Sequence, residues 1–214
     1  MSLALVTGAS RGFGYAASVA LARAGYHVAA LARTVGGLEE MANAAEAAGG
    51  ATTLIPLDLT DDAGLQRMCL ALHERWGGLD LWVHAAIQSA PLAPADSIAA
   101  KDFSRALAIN VTAAQRLILM LSPLLRAKEN GRVVYLTDTV AGEKFYGAYG
   151  ATKAAQIALF ESWGRESARI GPHVIPFAPR PMATSLRARF YPGEDRTVLS
   201  DPSEEAARML AALD

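Results

Sequence analysis

The sequence has little cysteine, no excess of charge and no long hydrophobic run, and each shortage excludes a class of protein. Cys69 is the single cysteine among 214 residues, so an internal disulfide and a cysteine-based zinc site are excluded. A total of 20 basic and 21 acidic residues gives a net charge of −1, which argues against a broad basic surface for nucleic acid or an anionic membrane. No apolar run reaches the roughly 18 residues that a bilayer requires. We therefore expect no metal site, no nucleic-acid partner and no membrane partner.

The N-terminus lacks the basic segment of a signal peptide. Its apolar run, Leu3–Thr7, leads directly into a glycine motif, which predicts a first strand. The single cysteine favours a reducing compartment, and we expect a cytoplasmic protein. The length and the lack of repeats or linker-like segments predict one domain, residues 1–214.

Short apolar runs alternate along the chain with longer amphipathic stretches. We predict strands over Leu3–Thr7, His27–Leu31, Thr52–Leu57, Leu79–His84, Arg132–Thr137 and Val174–Ala178. We predict helices over residues 12–24, 37–48, 61–76, 97–126, 149–170 and 202–213. Such alternation implies parallel strands joined by right-handed crossovers. The predicted fold class is α/β: a single, doubly wound, Rossmann-like parallel sheet of about six strands with helices on both faces, whose ligands bind at the carboxyl ends of the strands.

The first strand runs into Thr7-Gly8-Ala9-Ser10-Arg11-Gly12-Phe13-Gly14. Gly8 permits a tight turn, Gly12 lets the backbone approach a phosphate, and Gly14 allows a helix to pack closely on a strand. The N-terminus of the following helix offers free N–H groups and a partial positive charge to an anion. In this position, between a first strand and a helix, the pattern favours nucleotide binding over an ordinary turn without a ligand.

Together with Tyr149-Gly150-Ala151-Thr152-Lys153, a Y-x-x-x-K motif, this turn resembles the short-chain dehydrogenase/reductase family. The resemblance covers residues 3–213, and further segments match in the expected order: Asp58-Leu59-Thr60 after the third strand, Ile109-Asn110-Val111 in the fourth helix, Thr139-Val140-Ala141-Gly142 after the fifth strand, and Thr184 after the sixth. It implies a nicotinamide-dependent oxidoreductase that acts on a small carbonyl or alcohol.

The Y-x-x-x-K motif suggests proton chemistry. A tyrosine with its ordinary pKa near 10 is a poor base, but a cation within about 4–6 Å favours the phenolate. Lys153 lies four residues after Tyr149 on the same helix, so the two side chains share a face. The resemblance implies that Tyr149 is the general acid/base, and that Lys153 lowers its pKa and holds the nicotinamide ribose.

Two further catalytic residues are implied by the resemblance. Thr139 takes the place of the family's serine and orients the substrate oxygen, although Thr137 and Asp138 lie beside it and the segment from Thr139 to Tyr149 is shorter than is typical. Asn110 is similar to the asparagine that holds a water near the lysine and completes a proton relay.

The end of the second strand bears on the choice of cofactor. It reaches Ala30-Leu31-Ala32-Arg33-Thr34 without the acidic residue that NAD-binding folds place on the adenosine ribose. Arg33 and Arg11 are available instead, and two guanidinium groups suit a dianionic 2′-phosphate, so NADP(H) is predicted over NAD(H). The predicted cofactor-binding residues are Gly8, Ser10, Arg11, Gly12, Phe13, Gly14, Arg33, Asp58, Leu59, Ala85, Ala86, Tyr149, Lys153 and Thr184.

Two segments depart from the family pattern. The fourth strand ends His84-Ala85-Ala86-Ile87 in place of an Asn-Asn-Ala-Gly-like segment, and its histidine is either structural or an acid/base. Arg180 replaces a glycine after the sixth strand, where it either contacts an acidic substrate group or a phosphate, or is solvated. Residues that we expect to line or cover the pocket follow Thr184: Arg187, Arg189, Phe190 and Tyr191.

The leading hypothesis is an NADP(H)-dependent carbonyl reductase or alcohol dehydrogenase. The departures from the family pattern motivate an alternative: a cofactor-binding sensor or regulatory protein without efficient turnover. The long helices over residues 97–126 and 149–170 suit a homodimer with a four-helix interface, as in the family.

Overall fold

The computed structural model describes residues 2–213, and its centre is a six-stranded sheet in which all neighbouring strands are parallel. The strands are β1 Leu3–Thr7, β2 His27–Ala32, β3 Ala51–Pro56, β4 Leu81–His84, β5 Arg132–Leu136 and β6 His173–Phe177. Their order is β3-β2-β1-β4-β5-β6, so the winding reverses between β1 and β4. The predicted doubly wound fold is confirmed, and the carboxyl ends of β1 and β4 mark the place where such sheets bind ligands.

The helices lie on both faces of this sheet. They are α1 Gly12–Arg23, α2 Val35–Ala47, α3 Asp62–Trp76, α4 Ala100–Ala106, α5 Ala113–Arg126, α6 Gly147–Ser167, α7 Ser185–Phe190 and α8 Pro202–Ala211. Strand β1 shows why the strand sequences are nearly all apolar. Its side chains alternate between the faces, so Leu3 and Leu5 pack with α3, α5 and α6, whereas Ala4 and Val6 pack with α1, α2 and α8.

The predicted helix over residues 97–126 differs in detail from the observed one. It begins at Ala100 and contains one wide π turn, Leu107–Thr112, between α4 and α5. Turns of this kind are rare and often lie at functional sites. Asn110, a predicted site residue, lies in this turn.

The same helical stretch bears on the expectation that no apolar run is long enough to span a membrane. By length and composition, Ala100–Arg126 is long and apolar enough to cross one. Core helices of globular proteins meet the same criteria, and Leu117, Leu121 and Leu125 of this helix are buried in the core cluster on one face of the sheet. Length and composition alone therefore give only weak support to a membrane span.

Candidate active site

The turn between β1 and α1 depends on its glycines. Gly8 has a φ of 83°, and a Cβ at this position would lie 2.8 Å from the backbone nitrogen of Ala86. A Cβ on Gly14 would overlap the carbonyl oxygen of Gly8. Gly12, with a φ of 55°, is the first residue of α1 and lies beside the methyl group of Thr184. Glycine at residues 8 and 14 therefore lets β1, β4 and α1 approach one another more closely than any other residue would, whereas at residue 12 the positive φ favours glycine.

The N-terminus of α1 is free of protein caps. Arg11 precedes it without a side-chain hydrogen bond to the first turn, and that turn contains no acidic residue. It borders a cleft of about 510 Å³, here named the glycine cleft, whose lining includes Gly8, Ser10, Arg11, Gly12, Phe13, Gly14, Arg33, Asp58, Leu59, Ala85, Ala86 and Thr184. The residues predicted to bind cofactor, other than Tyr149 and Lys153, thus lie around one space beside a partial positive charge.

Two arginines and a second helix N-terminus meet at the carboxyl end of β2. Arg11 Nη2 donates a 3.5 Å hydrogen bond to Thr34 Oγ1, and Arg33 Nη1 lies 3.7 Å from Asp58 Oδ2. Helix α2 begins after Thr34 without a side-chain cap and without an acidic residue in its first turn. This corner of the glycine cleft therefore suits an anionic group.

Asp58 is fixed by its own turn as well as by Arg33. Its Oδ1 accepts hydrogen bonds of 2.9 and 2.8 Å from the nitrogen and the hydroxyl of Thr60. Burial acts to raise the pKa of Asp58, but these bonds and the charge of Arg33 outweigh it and lower that pKa. A charged carboxylate is therefore held at the cleft, next to the buried Leu59.

A second cleft of about 360 Å³ adjoins the first. This tyrosine cleft is lined by Tyr149 and Lys153 of α6, by Asp138 and Thr139 after β5, and by Arg180 after β6. The residues common to both clefts are Ala85, Ala86, Ile87, Leu136, Met182, Thr184 and Leu186. The cleft lined by the Y-x-x-x-K pair therefore adjoins the cleft at the glycine turn.

The hydroxyl of Tyr149 contacts a carboxylate. It donates a 2.9 Å hydrogen bond to Oδ2 of Asp138, whose Oδ1 accepts a 3.3 Å bond from the backbone of Val140. Burial raises the pKa of Tyr149, and the charge and hydrogen bond of Asp138 raise it further. Thr139 is exposed and lines the same cleft, and the side chain in contact with the phenol is Asp138. Sequence reasoning named Asp138 only as a neighbour, because the short loop before Tyr149 left the register ambiguous.

The ammonium group of Lys153 is buried and held by an amide. Its Nζ donates a 2.7 Å hydrogen bond to Oε1 of Gln156, and Nε2 of Gln156 donates a 2.9 Å bond to the carbonyl oxygen of Asn110. Burial lowers the pKa of Lys153 to about 8, against the opposing effect of Asp138. Gln156 was not predicted. The signal that could have identified it is its spacing, because residues three apart share a helix face.

Asn110 has a structural role in addition to this carbonyl contact. Its Oδ1 accepts a 2.7 Å hydrogen bond from the backbone nitrogen of Gln88, and its Nδ2 donates bonds of 3.0 Å to the Gln88 carbonyl and to Thr152 Oγ1. The side chain therefore ties the segment after β4 to α6. The amide of Gln156 connects Asn110 to Lys153, where the resemblance implied a bridging water.

His84 extends this buried polar chain into the sheet. Nε2 of His84 accepts a 3.1 Å hydrogen bond from Gln156, so its ring proton lies on Nδ1, 2.9 Å from Thr7 Oγ1. That hydroxyl also accepts a 3.4 Å bond from the indole of Trp82. Burial, with a smaller contribution from the charge of Lys153, lowers the pKa of His84 to about 3. The histidine is therefore a neutral structural group rather than an acid/base.

The loop after β6 is anchored by an acid of α8. The side chain of Glu205 is 0% exposed and accepts hydrogen bonds from the Arg180 backbone nitrogen at 3.0 Å and from Arg180 Nε at 2.6 Å. Arg208 donates two more, of 3.1 and 2.6 Å, to the same carboxylate. The Arg180 side chain thus has a protein partner at the edge of the tyrosine cleft, and Glu205 was missed because nothing local in the sequence distinguishes it from exposed helix acids.

Helix α7, which was not predicted, covers the tyrosine cleft. Phe190 is buried, with its ring centre 4.9 Å from that of Tyr149 and 5.2 Å from that of Tyr146. Arg187 makes two hydrogen bonds, of 2.7 and 2.6 Å, to the carboxylate of Glu194, which pins the segment that follows. As expected, Arg187, Phe190 and Tyr191 line the tyrosine cleft, whereas Arg189 lines the glycine cleft.

Comparison with known proteins agrees with this geometry. The family model for short chain dehydrogenases matches residues 2–195. The chain is 35% identical over 182 residues to the sorbitol dehydrogenase of Cereibacter sphaeroides, covering 82% of this chain and 68% of that protein. It is 33% identical over 156 residues to the fatty acyl-CoA reductase of Acinetobacter baylyi, covering 72% of this chain but only 53% of that protein. A short chain dehydrogenase from Escherichia coli CFT073, solved in complex with NADPH, superimposes with a TM-score of 0.87 at 27% identity, over 99% of this chain and 89% of that one.

Proposed function

The chain belongs to the short-chain dehydrogenase family, whose members are oxidoreductases, and from this premise we propose that it interconverts a carbonyl and an alcohol with NADP(H). The observation that carries the proposal is the shared wall of the two clefts. Tyr149 and Lys153 line the tyrosine cleft, which has seven lining residues in common with the glycine cleft. The glycine cleft suits a nicotinamide dinucleotide, because it borders the uncapped N-terminus of α1, where a pyrophosphate would meet free N–H groups.

The residues of α6 perform the proton chemistry. When bound in the cleft, the cofactor supplies or accepts the hydride at the carbonyl carbon. Tyr149 donates its hydroxyl proton to the carbonyl oxygen in reduction and accepts it back in oxidation. Lys153, held by Gln156, places a positive charge one helical turn away and holds the nicotinamide ribose. Thr139 lines the same cleft and offers its hydroxyl to the substrate oxygen.

The preference for NADP(H) is proposed from the charge of the glycine cleft. Arg11 and Arg33 flank the N-terminus of α2, whose first turn is uncapped and contains no acid. A 2′-phosphate at this corner would form ion pairs with both guanidinium groups and interact favourably with the helix dipole. The ribose hydroxyls of NAD(H) are neutral and would form no ion pair there. The NADPH complex of the Escherichia coli relative supports the same choice.

A paired fluorescence titration with NADPH and NADH, at low and moderate salt, tests this preference. We expect NADPH to bind at least about tenfold more tightly, equivalent to about 1.4 kcal/mol, with an affinity that falls as salt is added. Arg33→Ala should remove most of the difference. Arg165→Ala is the matched control, because that side chain is 83% exposed and lies outside both clefts. Equal affinities for the two cofactors in the wild type would withdraw the NADP assignment.

The second candidate is a cofactor-binding protein without turnover. The hydrogen bond from Tyr149 to Asp138 favours it, because the phenol donates its proton to the carboxylate rather than to a substrate oxygen. The two candidates are separated by comparing the wild type with Tyr149→Phe on a panel of small aldehydes and ketones with NADPH. An enzyme loses at least about a hundredfold in kcat/KM while its cofactor affinity is nearly unchanged. Equal residual rates in the wild type and Tyr149→Phe would show that Tyr149 takes no part in the reaction, and would favour the cofactor-binding protein.

We further propose a homodimer whose four-helix interface is formed by the α4–α5 helix and α6. Phe103, Leu107 and Leu119 are large apolar side chains exposed along the α4–α5 helix. A second copy would remove them from water. Light scattering of the purified protein tests this, and a monomeric mass at micromolar concentration would overturn it.

A further inference from the structure

Asp138 places a carboxylate against the phenol of Tyr149, a contact that the proposed chemistry does not require. Asp138 Oδ2 accepts a 2.9 Å hydrogen bond from the hydroxyl of Tyr149, and Asp138 Oδ1 accepts a bond from the backbone nitrogen of Val140. We propose that Asp138 is a positioning residue that keeps Tyr149 protonated, so that the site performs carbonyl reduction across the neutral pH range and alcohol oxidation only in alkaline solution. The inference rests on the proposed function and names the direction in which that site works.

The protonated and ionised forms of Tyr149 differ in how they interact with a neighbouring carboxylate. The neutral phenol donates to the carboxylate and gains a charge-assisted hydrogen bond. The phenolate has no proton to donate and lies against a like charge, so the contact that stabilises the acid form opposes the base form. Burial of the Tyr149 ring beneath Phe190 acts in the same direction, because it removes water that would solvate the phenolate.

The other charged and titratable groups around Tyr149 do not offset the effect of Asp138 on its protonation. Lys153 carries the nearest positive charge, but its ammonium donates to Gln156, away from the phenol. Tyr146 lies 6.4 Å away between ring centres and is neutral at physiological pH, whereas the charge of Arg187 is paired with Glu194. His84 is neutral, and Arg180 is paired with Glu205. The group in direct contact with the phenol is the carboxylate of Asp138.

The consequence for direction follows from the proton balance. In reduction, a hydride adds to the carbonyl carbon and the proton of Tyr149 goes to the oxygen, so the phenol must be protonated at the start. In oxidation, the alcohol gives its hydroxyl proton to the phenolate and its hydride to the oxidised cofactor, so the phenol must be ionised. A carboxylate that favours the protonated form therefore extends the pH range of reduction and confines oxidation to higher pH.

The first test measures the tyrosine itself in the cofactor-free protein. The near-ultraviolet absorbance of tyrosinate is followed with pH, and Tyr149 is identified as the step that Tyr149→Phe removes. We expect Asp138→Asn and Asp138→Ser to lower the pKa of Tyr149 by about one pH unit or more. Glu143→Gln is the matched control, because it removes an exposed negative charge from the same loop and should leave that step in place. A Tyr149 step that is the same in the wild type and both Asp138 variants would overturn the inference.

The second test measures turnover in both directions. Asp138→Asn should raise kcat/KM for alcohol oxidation at neutral pH by about tenfold, because one pH unit changes the ionised fraction tenfold. The alkaline fall in reduction should move to lower pH by the same interval. Unchanged pH profiles in both directions would overturn the proposed control of direction. A shifted tyrosine step with no turnover of any carbonyl would support the role of Asp138 on the phenol and refute the proposed function instead.

Discussion

The buried carboxylate of Glu205 should couple the C-terminal helix to the edge of the active-site cleft. Glu205 is on α8, beyond residue 195 where the family match ends, yet it accepts hydrogen bonds from the Arg180 backbone, the Arg180 guanidinium and Arg208. Arg180 and Met182 of the same loop line the tyrosine cleft. Removing the carboxylate should therefore affect both the free energy of unfolding and the shape of the site.

The size of the effect follows from the exposure of the partners. Removing one member of a buried ion pair costs about 3–5 kcal/mol. The Arg180 and Arg208 side chains are 60% and 43% exposed, so water recovers part of this cost, and we expect Glu205→Ala to lose about 2–3 kcal/mol. For a domain of this size, that loss lowers Tm by about 4–12 °C. Glu205→Gln retains the shape and should lose about half as much.

Urea unfolding and NADPH titration of the same variants provide the assay. Glu204→Ala is the matched control, because the adjacent side chain is exposed and should change stability by less than about 0.5 kcal/mol. A loss for Glu205→Ala no larger than that of the control would refute the reasoning. Burial acts to raise the pKa of Glu205, but the bonds from Arg208 and Arg180 outweigh it and lower that pKa. The stabilisation should therefore be complete above the ordinary glutamate pKa of about 4.3 and disappear as the pH falls through the lower folded value.

Two further substitutions test the turn and the buried polar chain. Gly14→Ala places a Cβ over the Gly8 carbonyl oxygen and should weaken NADPH binding at least about tenfold, equivalent to about 1.4 kcal/mol, whereas Gly36→Ala, which has open space around it, should not. The pKa of His84 is lowered to about 3 in the folded protein. At a pH below the ordinary histidine pKa of about 6.5, the unfolded chain therefore binds a proton at this residue and the folded chain does not. Stability should fall by up to about 2 kcal/mol between pH 7 and pH 5, and His84→Asn should reduce that dependence in urea unfolding while the exposed control His73→Asn does not.

Each of these predictions has an outcome that contradicts it. Wild-type affinity for NADPH in Gly14→Ala would mean that the turn tolerates a side chain and does not define the cofactor site. A pH dependence of stability that is the same in His84→Asn and the wild type would mean that other groups produce it.

The arrangement of the sheet and of the glycine turn was predictable because both depend on local sequence. Strands buried on both faces must be apolar almost throughout, and a turn with a φ of 83° at Gly8 requires glycine. The Y-x-x-x-K spacing likewise follows from one turn of a helix. These features need no knowledge of distant contacts.

The partners of the reacting groups were not predictable, because they come from remote parts of the chain. Asp138 meets Tyr149 through the path of a loop, and the Asn110 carbonyl meets Gln156 across 46 residues. Glu205 reaches Arg180 from 25 residues away, through the packing of α8 on α1. No local pattern encodes such distances.

The sequence by itself determined the family, the order of the strands along the chain and the location of the Tyr149–Lys153 pair, since periodicity and motif spacing are properties of short segments. Tertiary structure decided that the phenol faces a carboxylate and that the lysine is held by an amide. Those contacts depend on which side chains the packed core brings within hydrogen-bond distance, and burial then sets the pKa values on which the chemistry depends.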